Sequence, residues 1–274
     1  MEQGRDDRTA TFAPIIEHKD HESSPVFRPE NLLREARRQR GLPPGTVPPV
    51  CVLDPDGDMV RHLAGASRLR VSPSWACYHS TLYEADLDGL SIGLLGCAVG
   101  GPYAVLVAEQ LFVSGCEFLV SVTSAGQLAP AGGTPYYVLI EGAIRDEGTS
   151  YHYLPPSRTV EADAGVVALG ASATAGWREP VYRGTVWTTD APYRETAGRI
   201  SELAREGVLA VEMEAASLYA LARARGYPIL CFAHVTNRMA VREGDFEKGD
   251  AAGAPGSLAL VHAVGMAWVG RDGR

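Results

Sequence analysis

The chain has no CxxC pair, no long apolar run, no GxGxxG fingerprint and no surplus of basic charge. Each absence removes a class of function. Cys51, Cys77, Cys97, Cys116 and Cys231 are scattered through mostly apolar stretches. That placement argues against a disulfide frame or a zinc site and suits small buried hydrophobes in a reducing compartment. No stretch reads as the ~18 apolar residues of a membrane helix. The opening MEQGRDDRTATFAPIIEHKDHESS lacks the apolar centre of a signal peptide. A cytoplasmic protein without a membrane partner is therefore expected. A formal net charge of −8 disfavours a nucleic-acid groove, which wants a basic surface.

What is present describes a large globular domain. With 46 % hydrophobic and 21 % charged residues in 274, the chain can bury a sizeable core. Residues 1–24 are polar and aperiodic and are expected to form a disordered tail. PENLLREARRQRG (29–41) has Pro at its start and Gly at its end, the asymmetry of a short helix, here a basic one. With the stiff GLPPGTVPP it forms an N-terminal helix and linker over 25–47, ahead of one domain over 48–274.

Within that domain, strand patterns alternate with helix patterns. VPPVCVLD, CEFLVSVTSAG, TPYYVLIEGAI, YRGTVWTTD and YPILCFAHVTN read as strands. STLYEADLDGLSIGLLGCAVGG reads as a hairpin turning at Asp88–Gly89. MVRHLAGAS, PYAVLVAEQLFVSG, GVVALGASATAG, TAGRISELAREG and SLALVHAVGMAWVG read as helices, and VLAVEMEAASLYALARARG turns from strand to helix. Such alternation predicts an α/β fold, a three-layer α/β/α sandwich around a twisted mixed sheet. Ligands of such folds bind where strand ends meet helix starts. The exits of interest are Asp54–Asp58, Gly96–Pro102, Thr123–Gln127 and Thr236–Arg238. EGDFEKGDAAGAPG (243–256) is expected to be a disordered loop, either covering a site or simply solvated.

Several short motifs at these exits allow two readings each. CAVGGPYA (97–104) makes either a tight strand-to-helix turn or a backbone wall against a flat ligand. SVTSAG (121–126) offers Ser124 and backbone N–H groups to an anion or hydroxyl, or is a packed bend. WTTDAPYRET (187–196) is a turn with an Asp cap, or a lip carrying Tyr193 over a heterocycle. HVTNRMA (234–240) puts Asn237 and Arg238, donors suited to heterocycle carbonyls, at a strand exit. His234 in its apolar strand reads as a satisfied core histidine. His152, between aromatics, reads as a surface or interface residue. In VEMEAASLYALARARG, Glu212 and Glu214 flank Met213 ahead of an apolar helix. Acids suit a helix N-terminus, and they also suit a ligand hydroxyl.

The order GCAVGGP, VTSAG, GTSYHY, TTDAPY, VEMEAASLYALA, VTNR resembles the nucleoside phosphorylase-I superfamily, most closely its uridine phosphorylase branch, over roughly residues 48–270. The resemblance implies a homo-oligomer built from dimers, commonly a hexamer, with active sites near subunit contacts. It implies that Glu214 grips the ribose hydroxyls, that Met213 packs under the sugar and that Glu212 also reaches it. It places the base between Ser124, Ala125 and Gly126, Tyr193, and Asn237–Arg238. Where the family often stacks an aromatic on the base, this chain has Pro192. No cofactor and no metal are implied.

One departure is large. The family's phosphate site uses a glycine and three arginines. The matching positions here carry Pro55, Met59, Tyr78 and Ser121, and only the hydroxyl of Ser124 survives. The first loop, LDPDGD, instead carries Asp54, Asp56 and Asp58. At ~4 Å and an effective dielectric near 20, each carboxylate would repel a phosphate charge by about 4 kcal/mol before screening. Cleavage of a nucleoside N-glycosidic bond is therefore expected, with water as the favoured nucleophile and Asp56 or Asp58 as general base. Asn237 and Arg238 are expected at the departing base. One alternative is phosphorolysis at an unorthodox phosphate site, rebuilt by Arg28, Arg61, Arg68, Arg70 or Arg194. Another is a nucleoside-binding protein without turnover.

Overall fold

The structure, a computed structural model, describes residues 13–239 and 243–271. The chain enters through helix α1 (Pro29–Arg40), which ends where Gly41 turns left-handed at φ 63°. Strand β1 (Val50–Asp54) and helix α2 (Asp58–Gly65) follow. The hairpin β3 (Tyr83–Leu87) and β4 (Leu90–Gly96) comes next, with β2 (Arg70–Val71) on its edge. Helix α3 (Gly101–Val113) leads to β5 (Phe118–Gln127) and β6 (Tyr136–Asp146). Then come β7 (Thr159–Glu161), α4 (Ala164–Ala173), β8 (Val181–Thr189), α5 (Ala197–Arg205) and β9 (Ala210–Glu212). The chain closes with α6 (Ala215–Arg225), β10 (Ile229–Asn237) and α7 (Ala254–Gly270). Every helix and long strand expected from the sequence is present.

These strands make one mixed, ten-stranded sheet. Its order runs β10-β6-β8-β9-β5-β1-β4-β3-β2, with β7 paired to β6 off this path and β10 paired to β5 as well. The strands β5, β10, β6, β8 and β9 thus close into a ring, from which β1, β4, β3 and β2 extend as an open wing. Side chains alternate across the sheet. Cys51, Leu53 and Leu119 face a core built with Ala104, Val107 and Leu111 of α3 and Leu218 and Leu221 of α6. Val50, Val52, Val120 and Val122 face the other core, with Met59 and Leu63 of α2, Val166 of α4 and Val261 and Val264 of α7. Helices on both faces give the expected three layers.

Three expectations need correction or limits. Asp250–Gly270 is long and apolar enough to cross a membrane by length and composition alone. In this fold, however, Leu258, Leu260, Val261, Val264 and Trp268 of that segment pack into the core. Of the expected tail, residues 1–12 lie outside the described residues. Residues 13–24 carry turns without helix or strand, and Lys19 Nζ lies 3.0 Å from His152 Nδ1. The segment 243–256 is not a structureless loop. Phe246 bridges to Asn237, a short 3-10 turn spans Asp250–Gly253, and α7 begins at Ala254.

Candidate active site

The end of β5 joins two groups of candidate residues from opposite sides of the strand, close enough that, beyond burial, the charge of Asp56 helps raise the Glu214 pKa. Thr123 and Ser124 are consecutive in an extended strand, so their hydroxyls point oppositely. Thr123 Oγ1 donates to Glu214 Oε2 at 2.9 Å. Ser124 donates to Asp56 from both its N–H, at 3.2 Å, and its hydroxyl. A single strand end therefore ties both acidic groups that the sequence singles out.

On the α3/α6 face, Glu214 stands at the N-cap position of α6 and is 1 % exposed. Its other oxygen accepts from the Gly100 N–H at 2.6 Å. Gly100 aims that N–H with φ 86°, a conformation glycine adopts without steric penalty. Burial, and then the charge of Glu212, pushes the Glu214 pKa up to about 8. Glu212 is buried too, and burial pushes its pKa up to about 7. Its carboxylate accepts from Thr188 Oγ1 and from the N–H groups of Glu214 and Ala215, both at 2.8 Å. Those backbone donors are orphans of the α6 start, so Glu212 caps the helix from outside. Met213 between the two glutamates is half-buried. A third carboxylate, Glu147, follows β6 and accepts from Ser217 Oγ at 2.6 Å and Ser150 N–H at 2.9 Å. Nothing in the sequence order marked Glu147, because the folding of β6 against α6 is what brings it there.

On the α2/α7 face lies the acidic loop. Asp54 ends β1, is 2 % exposed and accepts from Val60 N–H at 2.9 Å. Burial, with the charges of Asp58 and Asp56, raises its pKa to about 6. The three carboxylates are not bare. Lys248 Nζ lies 2.7 Å from Asp58 Oδ2 and 3.2 Å from Asp56 Oδ2, and Arg61 pairs with Asp58. Burial opposes the charge on Lys248, but the hydrogen bond to Asp58 and the charges of Asp56 and Asp58 raise its pKa on balance. Sequence reasoning missed Lys248, since it comes from the segment expected to be a disordered loop and lies 190 residues from Asp58.

The remaining candidates divide. Asn237 is buried, with Nδ2 donating to Ala125 O at 3.4 Å and Thr236 Oγ1 at 3.2 Å, and Oδ1 accepting from Met239 N–H at 2.9 Å. Gly126 sits under Met239, where a Cβ would come within 2.6 Å of Sδ. Ala125, Gly126 and Asn237 thus form one packed strand exit, with Arg238 exposed just beyond it. Tyr193 is not brought to this group. It is 99 % exposed on the 3-10 turn Pro192–Arg194. Of the arginines expected to rebuild an anion site, Arg61 alone is paired with the acidic loop among the described residues. Arg70 pairs with Glu84, Arg68 bonds Asp86 O and Arg28 bonds Pro25 O. Tyr78 hydrogen-bonds Gln39 in an exposed position.

Comparison with known proteins gives this geometry a family. The family described as the Phosphorylase superfamily matches residues 49–264. A guanosine phosphorylase of Halorubrum lacusprofundi is 28 % identical over 145 residues, 53 % of this chain and 60 % of its own. A uridine phosphorylase of Thermococcus kodakarensis is 27 % identical over 185 residues, 62 % of this chain and 66 % of its own. The chain therefore spans 60 % and 66 % of the length of these two relatives. A DeoD-type purine nucleoside phosphorylase of a Jannaschia species is 34 % identical over 199 residues, 69 % of this chain and 83 % of its own. Among solved structures, uridine phosphorylase from Vibrio fischeri in complex with 6-hydroxy-1-naphthoic acid superposes with a TM-score of 0.68. It does so at 18 % identity, covering 81 % of this chain and 92 % of its own, a likeness of fold.

Proposed function

The chain belongs to the phosphorylase superfamily, and from that premise we propose that it cleaves the N-glycosidic bond of a nucleoside, with water as the favoured nucleophile. Glu214 takes the ribose hydroxyls, and Met213 lies under the sugar. Glu212 holds the start of α6, and with it the Glu214 backbone, in place. As the C–N bond breaks, its electron pair leaves with the base and positive charge builds on the sugar. A buried carboxylate beside that charge favours it strongly, because little water screens the pair. Water adds at the anomeric carbon and gives its proton to Asp56. The departing base sits at the Ala125–Gly126 and Asn237 exit, with the Arg238 guanidinium near its carbonyls.

The observation that carries the water reading is the position of Asp56. Ser124 N–H, Ser124 hydroxyl and Lys248 ammonium all converge on Asp56 Oδ2. They are the donors an oxyanion would need, and the chain's own carboxylate takes them. Asp56 is also a third exposed, so water can reach it. The same donors favour a second reading, in which phosphate displaces Asp56 and is held by Ser124 and Lys248 for phosphorolysis.

The test is to incubate purine and pyrimidine nucleosides with the wild-type protein, Glu214→Gln and Asp56→Asn, and to follow free base. Base release by the wild type, lost in both variants, is expected. Nucleoside affinity without base release would overturn the enzymatic reading and leave a binding protein.

A further inference from the structure

We propose that the small cavity between the acidic loop and β10 is a hydration site for one water that bridges His234 to Asp56, and that His234 is thereby a positioning residue for that carboxylate. The role given to Asp56 rests on the proposed hydrolysis, whereas the water site itself does not.

The cavity has a volume of about 10 Å³, close to the smallest space that accepts a single water. Its polar lining comprises Asp54, Asp56, Asp58, Thr123, Ser124, His234 and Ser257. A water needs two to four such partners. His234 supplies the demand. It is 6 % exposed and makes no hydrogen bond among the described residues, and its ring nitrogens are not among the fully buried atoms left without a partner, so the small exposure of the residue reaches the ring. A polar group in a narrow cleft that finds no protein partner takes ordered water instead.

The ring has little freedom to find a partner elsewhere. One face stacks on Tyr137, with centroids 4.7 Å apart and planes 17° apart. Tyr137 is itself fixed by a 3.1 Å hydrogen bond with Ser257. The Cε1–Nδ1 edge lies against Gly253, where a Cβ would come within 2.3 Å of Cε1. On β5, Ser124 is the register partner of His234, and Ser124 holds Asp56. His234 and Asp56 therefore approach the cavity from neighbouring strands and from the loop above.

The roof of the cavity carries backbone strain. Ala251 and Ala252 adopt φ 48° and 56°, left-handed values unfavourable for alanine, between Gly249 at 83° and Gly253 at 74°. Strain of this kind persists where the surroundings over-determine it, commonly at functional sites. Here Lys248 anchors one end of the turn on Asp56 and Asp58, and α7 anchors the other. The imidazole is neutral at pH 7, since burial and then the charge of Lys248 push its pKa down to about 4. A neutral ring can accept from or donate to the water, whose remaining hydrogen goes to Asp56. Asp56 is then held on one side by Ser124 and Lys248 and on the other by the water.

A high-resolution crystal structure of the full chain tests the site directly, with His234→Phe and His234→Gln as companions. An ordered water within hydrogen-bonding distance of a His234 ring nitrogen and an Asp56 oxygen is expected. Phe keeps the stack on Tyr137 but removes the partner of the water, so its Tm should fall by about 2–4 °C. With turnover established, kcat of His234→Phe should fall about ten-fold with KM unchanged, and His234→Gln should recover most of it. A dry cavity, or a Tm that rises in His234→Phe because an unpaired polar group has been removed, overturns the proposal. Products that require phosphate, found with the water in place, would instead overturn the hydrolytic reading and leave the hydration site standing.

Discussion

The buried pair Glu212 and Glu214 makes the stability of the ligand-free protein depend on pH in a predictable direction. Both carboxyls have folded pKa values above the ordinary 4.5, at about 7 and about 8. The stability they contribute is fully present below the unfolded pKa and is lost as pH rises through the folded values. Between pH 6.5 and 8.5 the pair together accounts for a loss of a few kcal/mol, on the order of 1.4 kcal/mol per pH unit per proton. Asp54, with a folded value of about 6, adds little to that loss, and His234, depressed to about 4, opposes it by under about 0.5 kcal/mol as the unfolded imidazole loses its proton. Urea unfolding followed by tryptophan fluorescence at fixed protein concentration measures the loss, since Trp75, Trp187 and Trp268 are all buried. Glu214→Gln should show a clearly smaller loss, since one of the two titrating carboxyls is gone. A wild type equally stable at both pH values, or an undiminished loss in Glu214→Gln, would refute the assignment of two raised pKa values to this pair.

Four further outcomes follow from the same geometry. Nucleoside binding at pH 7 should release a proton from Glu214, because ribose hydroxyls favour its ionised form. Calorimetry in buffers of different ionisation enthalpy would show this as a buffer-dependent heat. Glu214→Gln should lose about 10²–10³-fold in kcat/KM by steady-state kinetics, as expected for removal of a charge that acts mainly in the transition state. Asp56→Asn should lose about 10²–10⁴-fold in kcat, the scale of a general base. Gly253→Ala should destabilise by more than about 2 kcal/mol in denaturant titration, being both overpacked and left-handed.

Much of the fold was legible because its signals are local. The continuous apolar run of Val50–Leu53, the Asp88–Gly89 turn, and Pro29 and Gly41 bounding α1 need no knowledge of distant residues. β2 and β7 were not legible, since two or three residues cannot display a period. The ring closed by β10 on β5 was not legible, as pairing across a hundred residues leaves no trace in local pattern. The site follows the same rule. Glu212 and Glu214 announced themselves as acids ahead of an apolar helix, but their roles differ through contacts with Thr188, Thr123 and Gly100 that only the fold supplies. Tyr193 looked equivalent to the other polar residues near strand exits, yet its turn faces outward. The acidic loop read as bare because its counter-charge, Lys248, arrives from the far end of the chain.

The most direct test of the central claim is a nucleoside panel incubated with purified protein in the presence and absence of phosphate, with sugar products identified by chromatography and mass. Free ribose formed equally in both conditions is the predicted result. Ribose 1-phosphate formed only when phosphate is present would contradict it, and would mean that phosphate displaces Asp56 from Ser124 and Lys248.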